Sequence, residues 1–314
     1  MSRALVFPGQ GSQAVGMGRE LAAAFPAARH VFEEVDDALG QKLSKIMFEG
    51  PEGELTLTAN AQPALMAVSV AVARVLFDEA KLDLTKLAHF VAGHSLGEYS
   101  ALTVAGALKL ADTARLLRKR GEAMQKAVPV GTGAMAALLG LDLDVAQAVA
   151  KEATQGKEIC EAANDNAPGQ VVVSGSKAAV ERAVEIAKTK GGRRAILLPV
   201  SAPFHCSLMK PAADAMAEAL HAVNILPPRV PLVANVIAAA TDDPDAIRRL
   251  LVEQVTGMVR WRESVLYLKG QGVSTLVELG SGKVLSGLAK RIDPDVAGIS
   301  VQAPSDIDAF VKSA

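Results

Sequence analysis

Residues 89–108 read HFVAGHSLGEYSALTVAGAL: an apolar run, a small polar cluster Gly93-His94-Ser95-Leu96-Gly97-Glu98, then an apolar segment with helical spacing. A strand that turns sharply into a helix is the repeating unit of a parallel α/β sheet. Gly-x-Ser-x-Gly on that junction has the form of a nucleophile elbow, in which the turn lifts the hydroxyl off the sheet edge and the small flanks relieve crowding. The first N–H groups of the helix, that of Leu96 foremost, then point at any oxyanion formed beside Ser95. The other reading of these residues is a glycine-serine turn that only caps a helix.

The flanking sequence repeats the strand-to-helix rhythm. Residues 3–7 (RALVF) have the length of a buried strand, 8–18 form a glycine-rich turn, and 19–39 carry a helical pattern. Apolar residues recur at helical spacing over 63–80, KLAHFVAG at 86–93 reads as a strand, and 97–108 and 111–127 read as helices. The sequence changes character at VPVGTGAMAALLGL (128–141), where Pro129, Gly131 and Gly133 break the helix. From there the pattern predicts strand 134–140, helix 143–154, strands 158–163 and 170–174, helix 176–189 and strand 194–198, the βαββαβ order of a ferredoxin-like unit. A helix at 207–222, a strand at 230–235, helices within 244–269 and a strand at 274–280 resume the α/β pattern. The expected organisation is therefore a larger α/β subdomain, 1–127 with 201–314, into which a smaller one, 128–200, is inserted.

Composition bounds the function classes. Half of the 314 residues are hydrophobic and 21% are charged, as in an ordered globular protein, and length alone admits roughly one to three domains. The longest apolar stretches, such as 64–73, fall short of the roughly 18 residues that cross a bilayer, and the N-terminus lacks the apolar core of a secretory signal. A cytoplasmic protein without a membrane partner is expected. With 33 basic and 34 acidic residues there is no bias toward nucleic acid. The two cysteines, Cys160 and Cys206, have no metal spacing and suggest no disulfide framework. No metal site is expected.

A serine hydroxyl needs a base, and histidine titrates in the right range. Of the five histidines, His30 and His221 lie in charged helical segments, His89 starts a strand, and His94 adjoins the serine on a turn where its side chain should diverge. His205, in VSAPFHCSLMKP between a predicted strand and helix, arrives at the same sheet edge as Ser95. Cys206 beside it is a weak rival nucleophile, having no environment that would lower its pKa. A hydrolase triad would also place an acid between serine and histidine in chain order. Asp142, Asp144 and Asp165 are available but sit in the inserted unit, on no clear sheet-edge loop, and a carbonyl can orient a histidine instead.

Two further segments bear on the chemistry. In VFPGQGSQAVGMG, Gly9-x-Gly11-x-x-Ala14 follows a strand and fits a relaxed dinucleotide fingerprint, with Glu33 or Glu34 about 20 residues on, which supports a rival nicotinamide-dependent oxidoreductase. For acyl transfer, the same loop offers the Gln10 N–H as the second half of an oxyanion hole. In RLLRKRGEAMQ, one of Arg115, Arg118, Lys119 and Arg120 aimed inward would pair with a carboxylate, and periodicity does not say which.

The segments FPGQGSQ (7–13), GHSLGEYSAL (93–102), RGEAMQKAVPVGTGAMAA (120–137), NAPGQVVVSG (166–175), PFHCSLMKPAA (203–213) and GSGKVLSGL (280–288), in that order, closely resemble the bacterial malonyl-CoA:acyl carrier protein transacylases of type II fatty acid synthesis. The resemblance covers nearly the whole chain. It implies an α/β-hydrolase-like subdomain carrying a ferredoxin-like one, and transfer of malonyl from malonyl-CoA to acyl carrier protein without a cofactor. Residue by residue, it implies Ser95 as nucleophile, His205 as base, Gln254 as the carbonyl that orients it, Gln10 and Leu96 as oxyanion amides and Arg120 as holder of the malonyl carboxylate. Phe204 and Asn166 would line the substrate site, Phe204-His205 being the form associated with malonyl selectivity. Lys210, Lys283, Lys290 and Arg291 are candidates for a basic carrier-docking patch by resemblance and charge, and a monomer is expected. The chain departs from many relatives at Thr256-Gly257-Met258-Val259-Arg260-Trp261 and at Gly280-Ser281-Gly282, where a proline is common.

Overall fold

A computed structural model describes residues 2–313 and contains two sheets. The first comprises β1 (Arg3–Phe7), β2 (Phe90–Gly93), β7 (Leu232–Ala234), β8 (Ala239–Thr241), β9 (Thr275–Leu279) and β10 (Ala297–Val301), in the order β10-β9-β1-β2-β7-β8. All its pairs are parallel except the β7–β8 hairpin. The second comprises β3 (Gly133–Leu139), β4 (Cys160–Ala167), β5 (Gln170–Ser176) and β6 (Arg194–Leu197), antiparallel in the order β4-β5-β3-β6. With the helices Leu143–Ala153 and Lys177–Thr189 between its strands, it is the predicted βαββαβ unit, so the fold is mixed α/β with a parallel-dominated sheet and a separate antiparallel one.

The parallel sheet is buried on both faces, which is why its strands read as continuous apolar runs. Leu5 and Phe7 of β1 join the cluster of the helix Thr58–Arg74, while Ala4 and Val6 point the other way, into the cluster of Trp261, Val265 and Leu268. The segment Thr58–Glu79, which contains the apolar stretch 64–73, is long and apolar enough to cross a membrane, more than the stretch alone indicated. It is instead the core helix of this protein, 89% of its apolar window being buried inside the fold.

Four sequence expectations shift. Residues 86–93 are not one strand: Asp83 Oδ1 accepts the Thr85 N–H at 2.8 Å and caps a helical turn, Leu84–Leu87, leaving only Phe90–Gly93 extended. Pro26 opens a second helix, Pro26–Leu39, so the 19–39 pattern divides after Ala24. The helix expected over 97–108 ends at Val104. β10 and the short β8 were missed because they lie at the sheet edges, where Gly298 and Ile299 are exposed and no strong alternation forms.

The two glycines of the serine loop are explained by packing. A Cβ on Gly93 would lie 1.9 Å from the carbonyl carbon of Gly97, and one on Gly97 would lie 2.3 Å from the carbonyl oxygen of Phe7. The turn closes on itself and on β1 through backbone alone. Gly93→Ala is therefore expected to destabilise the fold by about 3 kcal/mol, the upper part of the range for overpacking, read as a lower urea midpoint. An unchanged midpoint would mean that the turn is looser than its contacts indicate.

Candidate active site

β1, β2 and β7 end at one edge of the parallel sheet, where the loop 8–18, Ser95 and Asn235 emerge. This is the carboxyl edge on which α/β sheets carry their sites. Ser95 has φ +53°, a left-handed backbone conformation uncommon for residues other than glycine. Asn235 holds the turn there: its Oδ1 accepts the Ser95 N–H at 2.8 Å, and its Nδ2 donates to the Gly93 carbonyl at 2.7 Å.

His205 reaches the same edge on the segment that returns from β6, also at positive φ, +57°. Its Nε2 is 2.7 Å from Ser95 Oγ. Its Nδ1 is 2.8 Å from the Gln254 carbonyl and 3.2 Å from that of Gly257. Carbonyls only accept, so Nδ1 carries the proton and Nε2 is free to take one from Ser95. Among the described residues no carboxylate completes this pair. Asp142 and Asp144 are exposed, and Asp165 is engaged 2.8 Å from Arg262 Nε. The variant loop thus contributes the Gly257 carbonyl, and the variant glycine segment braces the opposite loop, Ser281 Oγ donating to the Ser12 carbonyl at 2.7 Å.

Arg120 is the inward member of its basic cluster. Gly121 lets the helix Leu110–Ala127 approach the Thr58–Arg74 helix so closely that a Cβ there would lie 2.6 Å from Ala59 Cα. Arg120 is consequently 1% exposed, whereas Arg115 and Lys119 are exposed and Arg118 is half-buried. Its Nη1 donates to Gln62 Oε1 at 2.9 Å; Nη2 donates to Gln254 Oε1 at 2.9 Å and to Ser95 Oγ at 3.1 Å. Serine, base and guanidinium therefore meet at one oxygen atom.

The remaining expected residues lie around this centre. Among the described residues, the backbone N–H groups of Gln10 and Leu96 donate to no protein acceptor, while the Gln10 side chain bonds Thr58 Oγ1 at 3.3 Å. Phe204 is buried immediately before His205. Asn166 Oδ1 is 2.9 Å from His94 Nε2, so it meets the serine loop through the preceding histidine. The His94 ring packs 5.9 Å from that of Trp261, which gives it a structural place. His30, His89 and His221 are exposed.

Sequence reasoning missed Asn235, Gln62, Gly257 and the carboxyl of Glu98. Glu98 is 1% exposed; its Oε1 accepts the Asn235 N–H at 2.7 Å and its Oε2 accepts from Gln254 Nε2. Burial pushes this carboxyl up to about 8, against the pull of those donors and of the Arg120 charge. A signal was present in the sequence: a lone charged residue inside an otherwise uncharged helix, and an asparagine closing the run PLVAN at the sheet edge.

Burial, and secondly the Arg120 charge, push His205 down to about 3, against the carbonyl contacts that raise it. The imidazole is therefore neutral, in its proton-accepting form, above that pH. Ester formation on Ser95 is expected to show no loss of base between pH 8 and 5, and a rate that falls with an inflection near 6.5 would contradict this environment. The linkage has a definite sign. Because the unfolded histidine titrates near 6.5 and the folded one near 3, this group's contribution to stability is present above 6.5 and is lost as pH falls toward 3.

The rival chemistries find no support in this geometry. Burial pushes the thiols of Cys160 and Cys206 up to about 12 and about 11, so neither is poised as a nucleophile. The loop 8–18 runs on to Gly18 before a helix starts at Arg19, so the Gly9-x-Gly11 pair does not open a helix N-terminus as a dinucleotide site requires. Among the described residues no group of His, Cys, Asp and Glu is arranged to hold a metal.

The acyl transferase domain family matches residues 4–305. The chain is 47% identical over 310 residues to the malonyl CoA-acyl carrier protein transacylase of Bacillus subtilis, covering 99% of this chain and 96% of that protein. It is 56% identical to the acyl-carrier-protein-S-malonyltransferase of Bartonella henselae, whose crystal structure superposes with a TM-score of 0.97 over 100% of this chain and 99% of that one. It is also 44% identical, with a TM-score of 0.96 and complete coverage of both chains, to a malonyl-transacylase solved in complex with a type II PKS acyl-carrier protein.

Proposed function

The chain belongs to the acyl transferase domain family, and on that premise we propose that it transfers the malonyl group of malonyl-CoA to the phosphopantetheine thiol of acyl carrier protein through an ester on Ser95. The observation that carries this reading is the convergence on Ser95 Oγ of His205 Nε2 at 2.7 Å and Arg120 Nη2 at 3.1 Å. A general base and a buried cation at one hydroxyl suit an acyl group that bears a carboxylate.

In the first half-reaction, the Ser95 proton passes to His205 Nε2 while Oγ bonds the thioester carbonyl carbon. The N–H groups of Gln10 and Leu96 receive the oxyanion. The carbon–sulfur bond then breaks and CoA leaves as the thiol with the proton from His205. In the second, the carrier thiol gives its proton to His205, its sulfur bonds the ester carbonyl carbon, and Ser95 Oγ leaves and regains a proton. The Gln254 backbone carbonyl keeps the imidazole in one tautomer throughout, and Arg120 holds the malonyl end in a site that Phe204 and Asn166 would line. The scheme uses the two thiols and these side chains, without metal or redox cofactor.

The proposed working form is a cytoplasmic monomer without membrane or nucleic-acid partner, the last of these supported by the balanced charge. The proposed limits of the inserted unit are 128 and 200, supported by the antiparallel sheet that spans Gly133 to Leu197. Intact-protein mass spectrometry after mixing with malonyl-CoA, followed by addition of acyl carrier protein, tests the reaction. A malonyl adduct on Ser95 that moves to the carrier is expected. Release of free malonate without carrier labelling would make the protein a thioesterase instead.

A further inference from the structure

The side-chain amide of Gln254 has two chemically different ends, and its surroundings accept only one orientation. Nε2 faces acceptors: the Ser95 carbonyl at 2.9 Å, Glu98 Oε2, and Asn235 Oδ1 at 3.4 Å. Oε1 faces a donor, Arg120 Nη2, at 2.9 Å. Glu98 cannot rotate away, because its other oxygen is held by the Asn235 N–H at 2.7 Å. All four side chains are buried, so no water replaces a mismatched partner.

We propose that Glu98, in its ionised form, is a positioning residue for acyl selectivity: its carboxylate accepts from Gln254 Nε2, turns the Gln254 side-chain oxygen toward Arg120, and so aims the guanidinium at the acyl group carried by Ser95. The proposal rests on the reading of Arg120 as the holder of the malonyl carboxylate. Its chemistry predicts what an isosteric change does. In Glu98→Gln, the Asn235 N–H still requires an oxygen, so the new amide nitrogen faces Gln254. Gln254 must then turn its own oxygen inward to accept, which presents its nitrogen to Arg120, donor against donor, and leaves the Ser95 carbonyl without its partner.

The test is the rate of ester formation on Ser95 from malonyl-CoA and from acetyl-CoA, by rapid quench and intact mass. It uses the 314-residue chain at pH 9, above the value of about 8 to which burial pushes the Glu98 carboxyl. Glu98→Gln is expected to lower the malonyl-to-acetyl rate ratio about 10- to 100-fold, the range of a lost hydrogen bond to a charged group. In an Arg120→Ala background the same change is expected to leave the ratio where Arg120→Ala alone puts it. Equal loss of both rates in Glu98→Gln, or a full effect on the ratio without Arg120, overturns the proposal. If Arg120→Ala by itself leaves the ratio unchanged, the carboxylate role of Arg120 fails first, and the two failures are thereby distinguished. Should Glu98→Gln not fold, Gln254→Met decides, since it removes the amide and keeps the backbone carbonyl that His205 uses: a lowered ratio supports the proposal, an unchanged one overturns it.

Discussion

Ser95→Ala is expected to give no acyl adduct with malonyl-CoA and to lower transfer to the carrier by at least about 10⁴-fold, the scale on which covalent catalysis fails when its nucleophile is removed. The same change is expected to leave thermal stability within a few degrees of the parent. The turn is held by the Asn235 contacts to the Ser95 N–H and the Gly93 carbonyl, which need no hydroxyl, and Arg120 keeps both glutamine carbonyls when Oγ is gone. The left-handed backbone at residue 95 is carried equally by serine and alanine, so the strain is a property of the site and the surrounding contacts sustain it. A protein that keeps its melting temperature and loses its adduct separates chemistry from folding. Retention of malonyl transfer by Ser95→Ala would move the reaction off this serine.

The contrast between what was legible and what was not follows from distance along the chain. Ser95 was legible because its environment is local: two glycines two residues away on either side, a strand before and a helix after, all within one segment of sequence. The βαββαβ unit was legible for the same reason, each strand and helix being bounded by its own breakers. His205 was legible by elimination, since its position after a strand put it on the right edge while the other histidines had surface or structural places. Arg120 was not resolved by periodicity. Its direction is set by how closely Gly121 lets two helices approach, a tertiary fact with no local signature. Nor were Gln62, Asn235 and the Glu98 carboxyl, because each acts through a partner far away in sequence: Asn235 on Ser95, Gln254 on Glu98, Gln62 on Arg120. Apolar patterning shows that a helix is buried, and says nothing of which polar atom inside it will find a complement. The resemblance to a family supplied what periodicity lacked for Arg120 and for the Gln254 carbonyl, and the buried network behind them became visible only in three dimensions.

Arg120→Ala is expected to change which acyl group the protein accepts more than it changes the chemistry of acylation. The guanidinium is almost wholly buried, held by two glutamine carbonyls, and adjacent to Ser95 Oγ, so a carboxylate arriving on the serine meets a cation already desolvated and aimed. Truncating one partner of such a buried pair costs about 2 to 5 kcal/mol, which corresponds to about 30-fold to several-thousand-fold in rate or affinity. An acetyl group has no carboxylate to lose. Its ester should form at a rate reduced only by whatever the cavity and the two unpaired carbonyls do to the site in general, a loss that malonyl shares. The ratio of malonyl to acetyl ester formation on Ser95 therefore isolates the charge, and it should fall by the full factor because the general loss enters both rates alike. Arg120→Lys is expected to lie between, because an ammonium keeps the charge but cannot satisfy two glutamines and a carboxylate in one plane. A second consequence runs through the base. The Arg120 charge is the second cause of the low His205 pKa, after burial, so its removal should raise that pKa toward 6.5. Acetyl ester formation by Arg120→Ala would then begin to fall at a higher pH than in the parent, as His205 takes up a proton. Equal loss of malonyl and acetyl labelling, with no movement of the acid limb, would remove Arg120 from both roles.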